Sequence, residues 1–386
     1  MWWALWRESG STSHSYARWG YPMNTPRTIA VWNTAFLGDA VLTLPLLNVL
    51  KSAFPDADLD FYVRSGLETL FAAQPELHQV YAVNKKDRTP LHLWQEGARL
   101  RRRKYDLWIN AHPSFRSALM ARLSGAPWRV GYRGAQRNFA HTDSVSRRFE
   151  ELDEIERLLQ LTRPVYKCFP AAFPPDFDPD RPAGPNHWPH LVLPNDAEHK
   201  ADAFFATLSR SPRLGLHPGS VWATKRWTTE GFASIARRAI DAGAYVLVFA
   251  GPGEERMAAD VIEQAGLRGH PALQDLSCKL SLPELAAWLK RLDVYVSNDS
   301  GPLHLAWCQH TPVTALFGPT VRELGFFPRG ETARVFEVDK AALPCRPCGL
   351  HGAKTCPQGH HRCMKDLDTD AVWNDVAAKL QAAPRH

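Results

Sequence analysis

Apolar β-type runs in this chain repeatedly end in short polar turns that open into helices, and that alternation restricts the fold more than any other feature. The clearest case is DVYVSNDSGPLHLA, from Asp293 to Ala306. DVYVSN is a short strand, DSGPLH a tight turn and LHLAW the opening of an apolar helix. A turn between a strand and a helix N-terminus suits a phosphate, because backbone N–H groups and the helix dipole both point at it. Asp299, Ser300, Gly301 and His304 place a carboxylate, a hydroxyl, bare backbone and an imidazole there. The competing reading is an ordinary capped helix, with Asp299 or Ser300 as N-cap.

The same pattern runs through both halves. RTIAVWN, ADLDFYVR, VYAVN, YDLWINA and RVGYRG are the β-type runs of the first half; RLGLH, AYVLVFA, DVYVSN and TPVTALF follow in the second. Helical stretches separate them, which implies parallel sheets. Between the halves, FPAAFPPDFDPDRPAGPNHWPH (169–190) is too rich in proline to continue a helix or a central strand. It reads as a linker between an N-terminal Rossmann-like domain (23–168) and a C-terminal one (191–344), facing each other across a cleft. Ligands in such sheets bind beyond the carboxyl ends of the strands.

With 386 residues, 45% of them hydrophobic, the chain can bury two cores. Its 46 basic and 40 acidic residues give +6, which suits an anionic substrate; no nucleic-acid motif accompanies the charge. No apolar run is long enough for a membrane-spanning helix. Residues 1–22 hold four Trp, interrupted by Arg7 and Glu8. They read as a disordered extension or as a start assigned too early, with Met23 the more natural beginning; an interfacial anchor is the alternative.

Three further turns carry chemistry. In FLGDAVLTLP, Asp39 sits in the first turn of a helix, either as a dipole-favoured acid or as a general base reaching into the cleft. In LHPGSVWATKRW, Gly219 and Ser220 offer donors to phosphate oxygens, and Lys225 and Arg226 supply charge. In FAGPGEE, Gly251 and Gly253 let a ligand approach, and Glu254 or Glu255 can accept from ribose hydroxyls.

Taken in order, LGDAVLTLPLL, HPGS…KRW, FAGPGEE, SNDSGPLHLA and LFGPT resemble the heptosyltransferases of glycosyltransferase family 9, from about Arg27 to the C-terminus. The resemblance implies a GT-B fold and an inverting, metal-independent transfer from ADP-heptose to the inner core of lipopolysaccharide. It implies Asp39 as catalytic base and Lys225 as the diphosphate-binding Lys. Asp299, Ser300, Gly301 and His304 become the donor turn, with Ser220, Arg226 and Glu254 beside them. No cofactor is required on this reading. The acceptor would be an anionic lipid-linked core oligosaccharide, with Arg116, Arg129, Arg133 and Arg137 as its contacts. The enzyme would be a cytoplasmic monomer in peripheral contact with the inner membrane, and the dense RLRRRK stretch (99–104) is either a solvated helix face or part of that contact. A different sugar nucleotide, a protein acceptor, sugar-nucleotide epimerisation and a catalytically inert subunit remain as rivals.

The tail (345–386) carries Cys345, Cys348, Cys356 and Cys363 at C-x2-C-x7-C-x6-C spacing, similar to the C-terminal segment of heptosyltransferase II-type sequences. Such spacing suits a structural Zn or Fe; the alternative is four reduced thiols packed at the domain edge.

Overall fold

The computed structural model describes residues 24–383, apart from 88, 135–138, 150, 182–183, 185–186 and 209–211. Residues 1–22 and Arg137 therefore lie outside the described residues.

Six strands of the first half, β1 (Thr28–Asn33), β2 (Asp58–Arg64), β3 (Gln79–Val83), β4 (Leu107–Asn110), β5 (Trp128–Tyr132) and β6 (Asp143–Val145), form one parallel sheet in the order β3-β2-β1-β4-β5-β6. The second half repeats this with β7 (Arg213–His217), β8 (Tyr245–Val248), β9 (Leu273–Asp275), β10 (Val294–Asn298), β11 (Val313–Leu316) and β12 (Ala333–Phe336), in the order β12-β11-β10-β7-β8-β9. Counted from its own first strand, each sheet reads 3-2-1-4-5-6, the Rossmann order. Helices cover both faces, so central strands such as Ile29–Asn33 and Val294–Asn298 are buried throughout.

In the first half the helices are α1 (Leu37–Leu42), α2 (Leu44–Ala53), α3 (Pro90–Arg102), α4 (Phe115–Ser124), α5 (Glu154–Leu159) and α6 (Arg163–Cys168). The second adds α7 (Asn195–Ala206), α8 (Thr229–Asp241), α9 (Glu255–Gln264), α10 (Leu282–Leu289), α11 (Gly301–Cys308), α12 (Arg362–Lys365) and α13 (Thr369–Ala382). The helical stretch after β1 is broken at Thr43, because Pro45 lacks an N–H and starts α2 afresh.

Each sheet has its switch point where the crossover reverses, between β1 and β4 and between β7 and β10. The turns leaving these strands meet across the cleft, where α1 packs on α11. Two glycines set the approach. A Cβ on Gly38 would lie 2.7 Å from the His304 ring, and one on Gly301 would lie 2.8 Å from Leu37 Cβ.

The Pro-rich stretch does run between the two sheets, but it is not a solvated tether. Phe169 and Phe173 pack edge-on against Phe54, and Phe173 stacks on Phe177 at 5.3 Å. Gln74 then holds the chain on both sides, donating to the His190 carbonyl at 3.0 Å and accepting from the Val192 N–H at 2.9 Å. The tail is likewise built into the second domain. Met364, Val372, Val376 and Leu380 join its core, and Thr314 of β11 donates to Asp375 of α13 at 2.6 Å. Among the described residues no helix is long and apolar enough to cross a membrane.

Candidate active site

A cavity of about 420 Å³ lies between the facing switch points and is walled by both domains. On the second domain's side, the loop after β7 and the turn after β10 are locked together by Asn298. Its side chain donates to the Pro218 carbonyl at 2.8 Å and accepts from the Trp227 N–H at 2.9 Å. That clamp presents Lys225 to the cavity. The Lys225 ammonium donates to Asp299 Oδ2 at 2.5 Å, and the Thr320 hydroxyl donates to the same oxygen at 2.6 Å. Burial alone would raise the Asp299 carboxyl; the Lys225 charge and the Thr320 bond outweigh it and hold the group below its usual range.

Asp299 therefore anchors the lysine rather than capping the helix behind it. Ser300 occupies the N-cap position of α11 without a side-chain capping bond, its hydroxyl lying 3.2 Å from that of Ser297. The positive end of α11, with Gly301 at its start, thus meets the cavity without a side chain closing it. His304, one turn on, is neutral at physiological pH: burial, with Lys225 adding, pushes it down to about 4. Glu254 accepts from the Gly251 N–H at 3.1 Å and pairs with His217 at 3.1 Å, leaving its carboxylate on the cavity wall. A Cβ on Gly219 would strike that carboxylate. Glu255 points elsewhere, to Cys278, so Glu254 is the acid the fold delivers.

On the first domain's side, Asp39 both caps and lines. Its carboxylate accepts from the Phe36 N–H at 3.2 Å and remains on the cavity wall. Burial pushes its pKa up to about 6, helped by the nearby charge of Glu154 and opposed by the Phe36 bond and Arg147. Arg147 pairs with both oxygens of Glu154 at 2.8 and 2.9 Å, and Arg157 reaches the same carboxylate at 2.7 Å. This group also ties the domains together, since Arg157 donates to Leu324 O at 2.7 Å and the Glu154 N–H to Gly325 O at 2.9 Å. His112, after β4, is pushed down to about 3 by burial and by Lys85, Arg147 and His351.

A third wall comes from the Cys-rich strap between Cys345 and Cys363. Thr224, next to Lys225, exchanges hydrogen bonds with Ala353 at 2.7 and 2.8 Å, and its carbonyl accepts from His361 at 2.7 Å. Arg346 donates to Thr320 O at 3.2 Å, and the Cys348 N–H to Pro319 O at 2.8 Å. The strap therefore braces both loops that hold Asp299's partners. It carries Leu350 and His351 into the cavity wall, His351 lying parallel to Trp222 and edge-on to Phe36 of the other domain. Burial and neighbouring Cys345 and Cys356 raise the Cys348 thiol, and Cys363 is buried beneath Gly318. Among the described residues no three His, Cys, Asp or Glu side chains are arranged to hold a metal ion.

Asp39, Ser220, Lys225, Glu254, Asp299, Ser300, Gly301 and His304 thus converge on one cavity. Arg226 does not line it; its guanidinium holds the Ser220 carbonyl at 2.8 Å and shapes the loop. Arg116 and Arg129 do not line it either. Arg116 is spent on Asp87 O, Asn84 O and Glu96, and Arg129 on Ala140 O and Ala126 O, none of them at the cavity. Arg133 is exposed just beyond β5. Thr320, Asn298, His351, Arg147 and Glu154 escaped sequence reasoning. Asn298 and Thr320 stood inside quoted motifs, but nothing local marks Arg147 or Glu154, whose importance comes from tertiary proximity to Asp39.

Comparison with known proteins agrees with this geometry. The sequence model of glycosyltransferase family 9 (heptosyltransferase) matches residues 93–350. The lipopolysaccharide heptosyltransferase 2 of Escherichia coli K12 is 24% identical over 362 residues, covering 91% of this chain and 98% of that one. Among solved structures, a family 9 glycosyltransferase from Veillonella parvula superposes with a TM-score of 0.77 at 22% identity, covering 92% of this chain and 98% of that one. The E. coli ADP-heptose lipopolysaccharide heptosyltransferase II gives 0.71 at 22% identity, covering 92% and 99%. With twin Rossmann sheets, a cleft walled by both, and the family's sequence model matched over most of its length, this chain belongs to glycosyltransferase family 9.

Proposed function

We propose that this enzyme transfers heptose from ADP-L-glycero-D-manno-heptose to the anionic, lipid-linked inner core of lipopolysaccharide, with inversion at the anomeric carbon. The observation that carries the reading is one cavity holding an elevated carboxylate from one domain and a cation with an open helix N-terminus from the other. Asp39 takes the proton of the acceptor hydroxyl as that oxygen attacks the anomeric carbon. The bond from that carbon to the diphosphate breaks, and ADP leaves with the electron pair. Lys225 and the start of α11 stabilise the departing diphosphate. Glu254 faces the ribose hydroxyls. No metal is assigned to the transfer, because the ammonium and the helix dipole supply the charge it would bring.

The acceptor's negative groups meet cations at the carboxyl edge of the first sheet. Arg64 ends β2 and lies over Phe36, Lys85 follows β3, Arg133 follows β5 and Arg147 follows β6. The enzyme works as a monomer at the cytoplasmic face of the inner membrane. The deciding experiment is a panel of ADP-heptose and UDP-, GDP- and dTDP-sugars, with and without a heptose-bearing inner-core acceptor. Transfer only with ADP-heptose and acceptor supports the reading. Donor turnover without acceptor would favour epimerisation, and rapid loss of transfer in EDTA with the fold intact would overturn the metal-free assignment. Elemental analysis under reducing conditions separates a structural Zn or Fe in the strap from four free thiols.

A further inference from the structure

Seven large apolar side chains are exposed among the described residues, and they fall into two groups. Phe36, Val221 and Leu350 line the cavity. The other four stand on the outer edge of the first domain: Leu91 (64% exposed) and Trp94 (68%) on α3, Phe115 (58%) at the start of α4, and Phe139 (51%) beside Phe115 at 5.9 Å. The substrate cavity does not account for this second group.

Its surroundings indicate an occupant. Gly97 and Leu100 turn α3 inward, Gly97 close against Leu123 of α4, so Leu91, Trp94 and Arg102 share the outer face. Arg99, Arg101, Arg102, Arg103 and Lys104 are all exposed at the helix end, and no acid interrupts them. Glu96, the acid within α3, is neutralised by Arg116 at 3.0 Å. An apolar, aromatic-bearing start followed by a basic end is the arrangement of a helix lying in a lipid–water interface. A second copy of this face would set Arg102 and its exposed basic neighbours against the same charges.

We propose that the outer face of α3 and the start of α4 dock on an anionic lipid bilayer, with Leu91, Trp94 and Phe115 entering the headgroup region and the basic end of α3 neutralising the surface charge. The N-termini of α3 and α4 lie at the carboxyl edge of the first sheet, the edge that carries Asp39, so docking holds the first domain's half of the cleft beside the membrane surface. Only that orientation draws on the proposed lipid-linked acceptor; the docking itself does not.

The test is flotation of the full chain with phosphatidylcholine vesicles, with and without phosphatidylglycerol, beside turnover on a lipid-free acceptor. Binding is expected only with phosphatidylglycerol. Leu91→Ser/Trp94→Ser/Phe115→Ser and, separately, Arg101→Ala/Arg102→Ala should each weaken it by roughly tenfold or more, with lipid-free turnover unchanged. Trp94→Ser alone serves if the triple variant folds poorly. Vesicle binding equal in variants and wild type, or none in wild type, overturns the proposal. So does a concentration-dependent dimer that the apolar variants abolish, which would make the face a self-interface. Loss of transfer with vesicle binding intact would count against the proposed reaction and leave the docking standing.

Discussion

The two domains share one topology and divide the chemistry unequally. In the second, the polar groups at the strand ends are paired before any substrate arrives: Lys225 on Asp299, Thr320 on Asp299, Glu254 on His217 and Gly251. In the first, the central carboxylate is buried with backbone N–H groups beside it, and its pKa rises to about 6. Preorganised charge suits a leaving diphosphate, which needs a fixed positive environment. An elevated carboxylate suits proton abstraction near neutrality. The difference lies in the turns and in what packs on them, since the sheets beneath are ordered alike.

The largest expected effect breaks the first domain's half. Asp39→Asn should lower turnover by about 100-fold or more and leave donor affinity within a few-fold. In wild type, kcat/KM should rise with pH up to about 6 and then level, because only the deprotonated carboxylate accepts a proton. The sign for stability is opposite. A folded pKa above the ordinary carboxylate value means that ionisation costs stability as pH rises toward 6, so the Asn variant should melt slightly higher at pH 7.5 than wild type. An unchanged rate, or a lower melting temperature, would remove Asp39 from the role.

Lys225→Ala tests the paired half and should weaken ADP binding and slow transfer together. Losing a charged hydrogen bond costs about 1.5–3 kcal/mol, roughly 10- to 100-fold. It should also lower the melting temperature, because Asp299 keeps only Thr320 as a side-chain partner. Calorimetric titration with ADP, together with a thermal melt, reads both effects; equal ADP affinity would place the lysine outside the donor site.

Gly38→Ala tests the apposition of the two halves. The added methyl meets the His304 ring at 2.7 Å, an overpacking expected to cost about 1–3 kcal/mol and to reduce turnover while ADP affinity stays near normal. Gly301→Ala makes the mirror experiment against Leu37. The smallest effect should come from Thr224→Val, which removes the strap's brace beside Lys225. A loss of about 1 kcal/mol, seen as a several-fold weaker ADP affinity with an unchanged acidic limb of the pH profile, would link the strap to the second domain's half alone.

The alternating strands and helices were legible, because buried parallel strands are continuous apolar runs and their turns are polar. So were the turns that bring Asp39, Lys225, Asp299 and Gly301 to the cleft. Three short edge strands, β6, β9 and β12, escaped, since pieces of three or four half-buried residues carry little periodicity. Arg116 and Arg129 show a different limit. Nothing local shows whether a guanidinium near a strand end will face the cleft or be consumed by carbonyls beside it, as at Arg116 and Arg129.

By itself, then, the sequence determined two Rossmann halves, the place of the cleft and the side chains at its central turns, because each is set by period and by neighbours a few residues away. Only the tertiary structure decided that Asp299 serves Lys225, that Glu154 and Arg147 bear on Asp39, and that the cysteine strap carries His351 across to Phe36. Those partners lie tens to hundreds of residues apart, and their influence passes through burial and charge in space, which no local pattern records.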